Sequence, residues 1–427
     1  MKKGIFVFIS IILLCIIPVS ACECEDATST AIEFDDLIRE DYAKNMEAEH
    51  DKTRVHPVDI PEGAETVTVD GEVYQVIRTI NEFEEKIYRT YLGNTENYIL
   101  GCDLDIADFN VEDYKSNVFS GKFNGNNYKI YSTEKDGGLR SSLFYKVENA
   151  FIENIIFSAS DGAFAADANG IPEFNYLLIY YCIDSIVRNC ISYWQPAFIA
   201  RFNDKNFSVG GLIHYTNNSE IQNCINYGDL YIGNGAPIVD IAYQTNIINC
   251  KNYGNITGEL KKNHGGTGGI VNHVNDGCVI DSCDNYGKIG GTSRVGGIVG
   301  FTGYGGNSFD YLNKTEYPNT VIKNCNNYGD IYLMKREGAK IFDQVTDEEF
   351  PNVFCVGGVA GSATKIENCN NEGNFYGFEK LGKGIKVDYS GGVVGIALEV
   401  NNCNSKNSIL VQKGKSLNVG EIYGILI

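Results

Sequence analysis

Residues 321–331 read VIKNCNNYGDI. An aliphatic residue stands three places before the cysteine, an asparagine directly before it, a tyrosine three places after it and a glycine four places after it. Nearly the same order recurs around Cys190, Cys224, Cys250, Cys283, Cys325, Cys369 and Cys403, at spacings of 34, 26, 33, 42, 44 and 34 residues. The aliphatics are Val187, Ile221, Ile247, Ile280, Ile322, Ile366 and Val400. Asparagine precedes every one of these cysteines except Cys283, where Ser282 replaces it. Tyr193, Tyr227, Tyr253, Tyr286 and Tyr328 follow at the third place, and Gly228, Gly254, Gly287, Gly329 and Gly373 at the fourth.

A second motif interleaves with the first. Glycine pairs followed by aliphatics stand at Gly210-Gly211, Gly268-Gly269, Gly296-Gly297, Gly357-Gly358 and Gly391-Gly392, with weaker copies at Gly235-Ala236 and Gly420-Glu421. Each period thus holds short apolar strands separated by turn residues, which is one unit of a stacked repeat. Such a unit buries its apolar side only against its neighbours. The pattern predicts an all-β chain, a right-handed parallel β-helix in which equivalent residues stack about 4.8 Å apart. Some ten coils would make a rod of about 50 Å. Asparagine and glycine tolerate the left-handed backbone that turns one strand into the next, and stacked amides can hydrogen-bond in a ladder.

Composition agrees. The chain has 427 residues, 47 glycines, 27 tyrosines and 43% hydrophobic content, which disfavours long helices and disorder alike. A formal charge of −20 argues against a nucleic-acid partner, because phosphate recognition needs a basic face.

The N-terminus reads as an export signal, residues 1–21, with Lys2 and Lys3 ahead of an apolar run from Ile5 to Ile17. Residues 22–65 form an acidic segment, with 14 acidic and 4 basic side chains from 23 to 65, expected to be an extended, partly helical stalk. In residues 66–97, Thr79 with Glu82 makes a capping box, and Ile80, Phe83, Ile87 and Tyr91 follow at helical spacing. That predicts an amphipathic helix serving as an N-terminal helical cap for the β-helix of residues 98–427, whose exposed first edge would otherwise invite aggregation.

Two resemblances follow from these residues. Val19-Ser20-Ala21-Cys22 resembles the lipobox of bacterial lipoproteins, which implies lipidation at Cys22 and a membrane anchor; the alternative is ordinary cleavage after Ala21. GGIVG at 296–300 and NCNNYGDI at 324–331 resemble the GLUG-type repeat of bacterial surface proteins built on pectin-lyase-like β-helices. NYILGCDLDI at 97–106, FSGKFNGNNYKIY at 119–131 and SLFYKVENAFIENIIF at 142–157 resemble the opening coils of such domains. The resemblance implies an adhesin-like, non-enzymatic protein, exported and surface-exposed, that meets an unknown protein or glycan partner. It carries no catalytic motif and no cofactor.

Candidate chemistry is sparse. Stacking would keep the repeat cysteines slightly farther apart than the Cβ separation of about 3.5 to 4.5 Å that a disulfide needs, so they read as buried free thiols. Their line offers no tetrahedral metal site. Cys278 and Cys355 are candidates to depart from the ladder. His50 and His56 fall in the stalk, His264 stands near His273, and His214 and His273 follow glycine pairs two coils apart, about 10 Å by strand spacing. His264 and His273 have no carboxylate beside them in sequence, so no metal is expected there.

Asp103, Asp105 and Asp108 form an acidic cluster that would serve the alternative function, a polysaccharide lyase or glycoside hydrolase on the same fold. The discriminating feature is whether acidic and basic groups meet in a lateral groove. Insertions near 161–176, 195–208, 302–320 and 334–353 exceed the basic period and should emerge as loops. Tyr193, Trp194, Phe198 and Phe202 around one, and Tyr304, Phe309, Tyr311 and Tyr317 in another, are the candidate ligand-binding aromatics.

Overall fold

The computed structural model describes residues 42–88, 94–106, 117–132, 142–159, 178–193, 211–232, 235–258, 266–292, 294–303, 319–333, 355–377, 389–407 and 418–426. The signal segment, Cys22, Asp108, Tyr91, His264, and the ligand-binding candidates Trp194, Phe198, Phe202, Tyr304, Tyr311 and Tyr317 lie outside the described residues.

The repeat aliphatics stand one above another. Ile221 pairs with Ile247, Ile247 with Ile280, Ile280 with Ile322, Ile322 with Ile366, and Ile366 with Val400, all in parallel register. Among the described residues the strands form four sheets, one of 20 strands, one of ten and two of five. The protein is therefore all-β, made of stacked parallel strands. Ile221, Ile247, Ile280, Ile322 and Ile366 are fully buried, each contributing about 1.5–3 kcal/mol relative to exposure.

The turns use the asparagines as expected. Asn189, Asn223, Asn249, Asn324, Asn368 and Asn402 all have φ between 49° and 54°, the left-handed conformation that asparagine accepts most readily after glycine. Their amides form an outer ladder in which each Nδ2 donates to the Oδ1 of the preceding coil, Asn223 to Asn189 at 3.2 Å and Asn249 to Asn223 at 2.7 Å. A second, buried ladder runs the opposite way, from Asn226 to Asn252, Asn285, Asn327 and Asn371, at 2.7 to 2.8 Å. Each of these amides also donates to a carbonyl two residues on, as Asn327 does to Gly329 at 2.7 Å. Here the glycine has no substitute: a Cβ on Gly329 would lie 1.8 Å from the Gly287 carbonyl oxygen.

Between the two ladders the repeat cysteines Cys190 to Cys369 are free and buried, and Cys403 at the end is half-buried. Their thiols donate to nearby carbonyls, Cys325 to Lys323 at 3.1 Å. Cys278 departs from this column. It occupies a place held elsewhere by hydroxyls, accepting from the Thr245 amide at 3.5 Å much as Ser219 accepts from the Ser185 amide at 3.1 Å.

At the N-terminal end, β1 (Thr66–Val69) and β2 (Glu72–Ile77) form an antiparallel hairpin around Asp70 and Gly71, whose φ values are 51° and 83°. β2 then pairs in parallel with β3 (Tyr98–Leu100). Residues 66–97 thus supply strands that continue the large sheet, which helical periodicity alone did not indicate. The Thr79–Glu82 capping box is formed, and it opens a short helix, Ile80–Phe83, followed by a π-helical turn, Glu84–Tyr88. Phe83 is buried against Phe123 and Phe144, at centroid distances of 5.7 and 6.0 Å.

The described part of the expected stalk is not extended. α1 (Tyr42–Thr53) and the residues after it lie on the β body, held by contacts described next. The expectation treated its charges as solvated, whereas several meet opposite charges on the first strands.

Candidate functional site

Two loci gather side chains with chemical capacity. The first grows directly from the repeat. Turning the chain at the left-handed asparagine buries the cysteine and the second asparagine, and points the tyrosine at the third place outward. Its ring then stacks on the equivalent ring of the next coil. Tyr193, Tyr227, Tyr253, Tyr286 and Tyr328 form one column with centroid separations of 5.2, 5.1, 4.8 and 4.8 Å and interplanar angles of 4° to 11°. Beyond Tyr328 the equivalent position is Glu372, and the column ends. Burial, then Asp284 and the neighbouring rings, push the Tyr286 phenol up to about 12, so it is neutral at ordinary pH.

Exposure along this column is graded. Tyr193 and Tyr227 are 3% and 7% exposed, whereas Tyr286 and Tyr328 are 39% and 41% exposed. The cover at the closed end is α1. His50 packs edge-on against Tyr193 and Tyr227, at 5.8 and 5.4 Å, and its Nδ1 shares a hydrogen bond with the Tyr193 hydroxyl. Tyr193, expected as a ligand contact, is instead sealed beneath the chain's own helix. A shorter pair, Tyr332 and Tyr376, stacks at 4.8 Å, with Tyr376 43% exposed.

The anchors of α1 account for Asp103. Arg54 donates to both of its carboxylate oxygens at 2.8 and 2.9 Å, and the Lys129 amide donates to Oδ1 at 2.8 Å. Lys129 Nζ meets Glu47 and Asp51, each at 2.7 Å. His56 stacks on Tyr128 at 3.9 Å and donates from Nδ1 to the Asn126 carbonyl at 2.8 Å, and the Asn126 side chain in turn brackets Val58. Asp103, the sequence candidate for acid–base work, is thus engaged in fastening the segment. Asp105 stands on the two-residue strand Leu104–Asp105, in register with Tyr131.

The second locus escaped sequence reasoning. His214 and His273 are two coils apart as expected, but Asp240 lies on the strand between them. Its carboxylate is fully buried, accepts from Asn272 Nδ2 at 2.8 Å, and approaches His214 Nδ1 at 2.9 Å off the line of a hydrogen bond. The signal that would have exposed it is the register of the glycine pairs. Gly211 donates to the Ala236 carbonyl, and Ile213 and Val271 both pair with Val239. Ala236-Pro237, not Gly235-Ala236, is therefore the equivalent of Gly268-Gly269, and that one-residue slip hid Asp240 beside His214.

Beside it, His273 stacks on Phe301 at 4.3 Å, and the Arg294 guanidinium covers Phe301 at 4.5 Å. Burial first, then Arg294, hold the His273 imidazole down at about 4, hence neutral. The charged groups of this locus are under cover: Arg294 is 4% exposed and Asp240 not at all. Among the described residues no group of three or more His, Cys, Asp or Glu could hold a metal ion.

No family model matches the chain, and no curated protein does. Among solved structures it is similar to the "putative immunoglobulin A1 protease" from Bacteroides ovatus, at 13% identity and a TM-score of 0.40, with 83% of this chain and 84% of that chain covered. Likeness of that degree transfers no chemistry, and function rests on this chain's own residues.

Proposed function

We propose that the protein is an exported, non-catalytic, adhesin-like surface protein that binds a protein or glycan ligand along the open half of its tyrosine column. The observation that carries this reading is the graded exposure of a single rigid stack, sealed at Tyr193 and Tyr227 and open at Tyr286 and Tyr328, which are 39% and 41% exposed. Tyrosine offers large, amphipathic contact area with few rotatable bonds, and rings already held by their neighbours lose little further freedom on binding. In this reading the scaffold is a right-handed parallel β-helix with GLUG-like repeats. The hairpin and residues 80–88 serve as its N-terminal cap, and acyl groups on Cys22 hold it at a membrane. Trp194, Phe198, Phe202, Tyr304, Tyr311 and Tyr317 are further candidate ligand contacts in this reading.

The polysaccharide-cleaving alternative is less well supported, because Asp103 is already bound by Arg54 and the Lys129 amide. The test is a glycan-array and host-matrix screen of the mature protein. Tyr286→Ser with Tyr328→Ser should abolish attachment while the fold still melts cooperatively; attachment that survives in that variant sinks the reading. For the anchor, a fatty-acid analogue should label the wild type and not Cys22→Ala.

A further inference from the structure

A second row of side chains runs beside the tyrosines, two residues before each of them. Strand side chains alternate, so it shares their face of the ten-stranded sheet. Near α1 this row is apolar: Ile156, Ile191 and Ile225 stand in register, and Met46 of α1 packs into the same cluster. Beyond Tyr227, the last ring that His50 touches, the row turns polar and reads Lys251, Asp284, Asn326 and Asn370. The backbone does not change with it. The amides of Tyr253, Tyr286 and Tyr328 donate to the carbonyls of Asn226, Asn252 and Asn285 at 2.8, 2.8 and 2.7 Å, and that of Glu372 to Asn327 at 2.7 Å. The same face therefore has an isoleucine half under a helix and a polar half beyond it.

That change narrows what the open half can take. A second helix lying there as α1 lies on the isoleucines would have to remove Lys251, Asp284 and two asparagine amides from water. The charges also balance. Lys251 Nζ stands 3.9 Å from Asp284 Oδ2, and Lys406 Nζ 3.5 Å from Glu372 Oε2, so the strip is locally neutral in a chain of formal charge −20. It favours neither a cation nor an anion. Asn326 Nδ2 donates to Asp284 Oδ1 at 2.9 Å and Asn370 Nδ2 to Asn326 Oδ1 at 3.0 Å, which uses one of the two N–H groups that each amide carries. The rings of Tyr253, Tyr286 and Tyr328 keep their faces on one another at 4.8 Å and turn edges and hydroxyls outward. Two rows of hydrogen-bonding groups thus run side by side, both repeating once per coil.

A surface that repeats suits a ligand that repeats. We propose that the strip from Tyr253 to Glu372 binds a neutral polysaccharide chain in extended form, laid along the stack with its hydroxyls between the tyrosine edges and the Asp284–Asn326–Asn370 row. The assignment rests on the reading of the tyrosine column as a binding surface and names the ligand class of that surface.

The test is calorimetric titration of the full mature protein. The probes are β-1,4-linked gluco-, manno- and xylo-oligosaccharides of two, four and six units, with maltotetraose as a neutral chain that coils. A galacturonate tetramer and a glucosamine tetramer are the charged controls. At least one extended series should bind, tightening by about tenfold or more from the dimer to the tetramer as further coils are engaged. Maltotetraose and both charged chains should bind more weakly. Asn326→Ala with Asn370→Ala should weaken the best tetramer by about tenfold while unfolding stays cooperative. No binding in any extended series, no gain with length, equal binding of the coiled or charged chains, or unchanged affinity in the asparagine variant overturns the proposal. If no oligosaccharide binds but the host-matrix screen finds a protein whose attachment is lost in Tyr286→Ser with Tyr328→Ser, the polysaccharide assignment falls and the tyrosine surface stands. Tetramer binding that survives in that tyrosine variant sinks both.

Discussion

His50 and Tyr193 stand 143 residues apart in the chain and share a hydrogen bond. Their rings meet edge-on at 5.8 Å. Through this contact the acidic N-terminal segment closes one end of the tyrosine column while the other end stays open. The contact is made by a polar helix whose anchors are mostly charged groups, so its hold should depend on them.

Arg54 is the strongest anchor, with two hydrogen bonds to a carboxylate and a side chain only 16% exposed. Arg54→Ala should therefore release residues 42–58 without unfolding the sheets. Amide hydrogen exchange in α1 should accelerate by about tenfold, or about 1.4 kcal/mol, while the global denaturant midpoint stays put. High salt should act in the same direction. A matching drop in global stability would show that the segment is part of the core instead.

The two asparagine ladders should differ in cost. Asn327→Ala strands the Gly329 carbonyl and takes one of two partners from Asn371 Oδ1, which keeps the Gly373 amide, and from Asn285 Nδ2, which keeps the Gly287 carbonyl; it should destabilise by about 2 kcal/mol or more. Asn324→Ala loses partly exposed ladder bonds and pays the left-handed backbone cost of about 1 kcal/mol, and Asn324→Gly should largely escape that cost. Urea midpoints of the three variants give the order, and equal losses at both positions would contradict the ladder account.

The cysteines should react in order of burial. Among the described cysteines, alkylation of the native protein should reach Cys102 and Cys403 first, since both are partly exposed, and the Cys190–Cys369 column only after unfolding. Burial also pushes the thiols of Cys283 and Cys325 upward, which keeps them as unreactive thiols. Cys325→Ser should cost about 1–3 kcal/mol, because the shorter hydroxyl cannot span the sulfur's contacts to both Lys323 and Ile280. Disulfides between column neighbours on mass analysis would refute the register.

His273 makes stability pH-dependent. Its folded-state value is about 4 against an ordinary 6.5, so the unfolded chain takes up the proton first as pH falls. The contribution is full above pH 6.5 and lost by about pH 4, amounting to about 3 kcal/mol. His273→Phe should flatten the stability curve across that window relative to the wild type. Parallel urea titrations at neutral and acidic pH check it, and an unchanged slope would discount the buried neutral imidazole.

The repeat alone was enough to determine which residues stack. Its period is local, and a residue that recurs at fixed spacing in a parallel array must meet its own copies, so the aliphatic, cysteine, asparagine and tyrosine columns were all legible in VIKNCNNYGDI and its relatives. The Asp70-Gly71 hairpin had a local signal as well, an Asp-Gly pair between two short apolar runs.

Only the tertiary structure decided what lies over those columns. Nothing periodic links Arg54 to Asp103 or His50 to Tyr193, so the charges of residues 42–65 read as solvated until the strands that neutralise them were in place. Asp240 was hidden for a related reason. Its place beside His214 depends on Ala236-Pro237 standing where other coils have two glycines, and backbone hydrogen bonds between coils set that register, not residue identity. Spacing along the chain determines neighbours within a column, whereas contacts between columns and their cover depend on how the turns bring distant segments together.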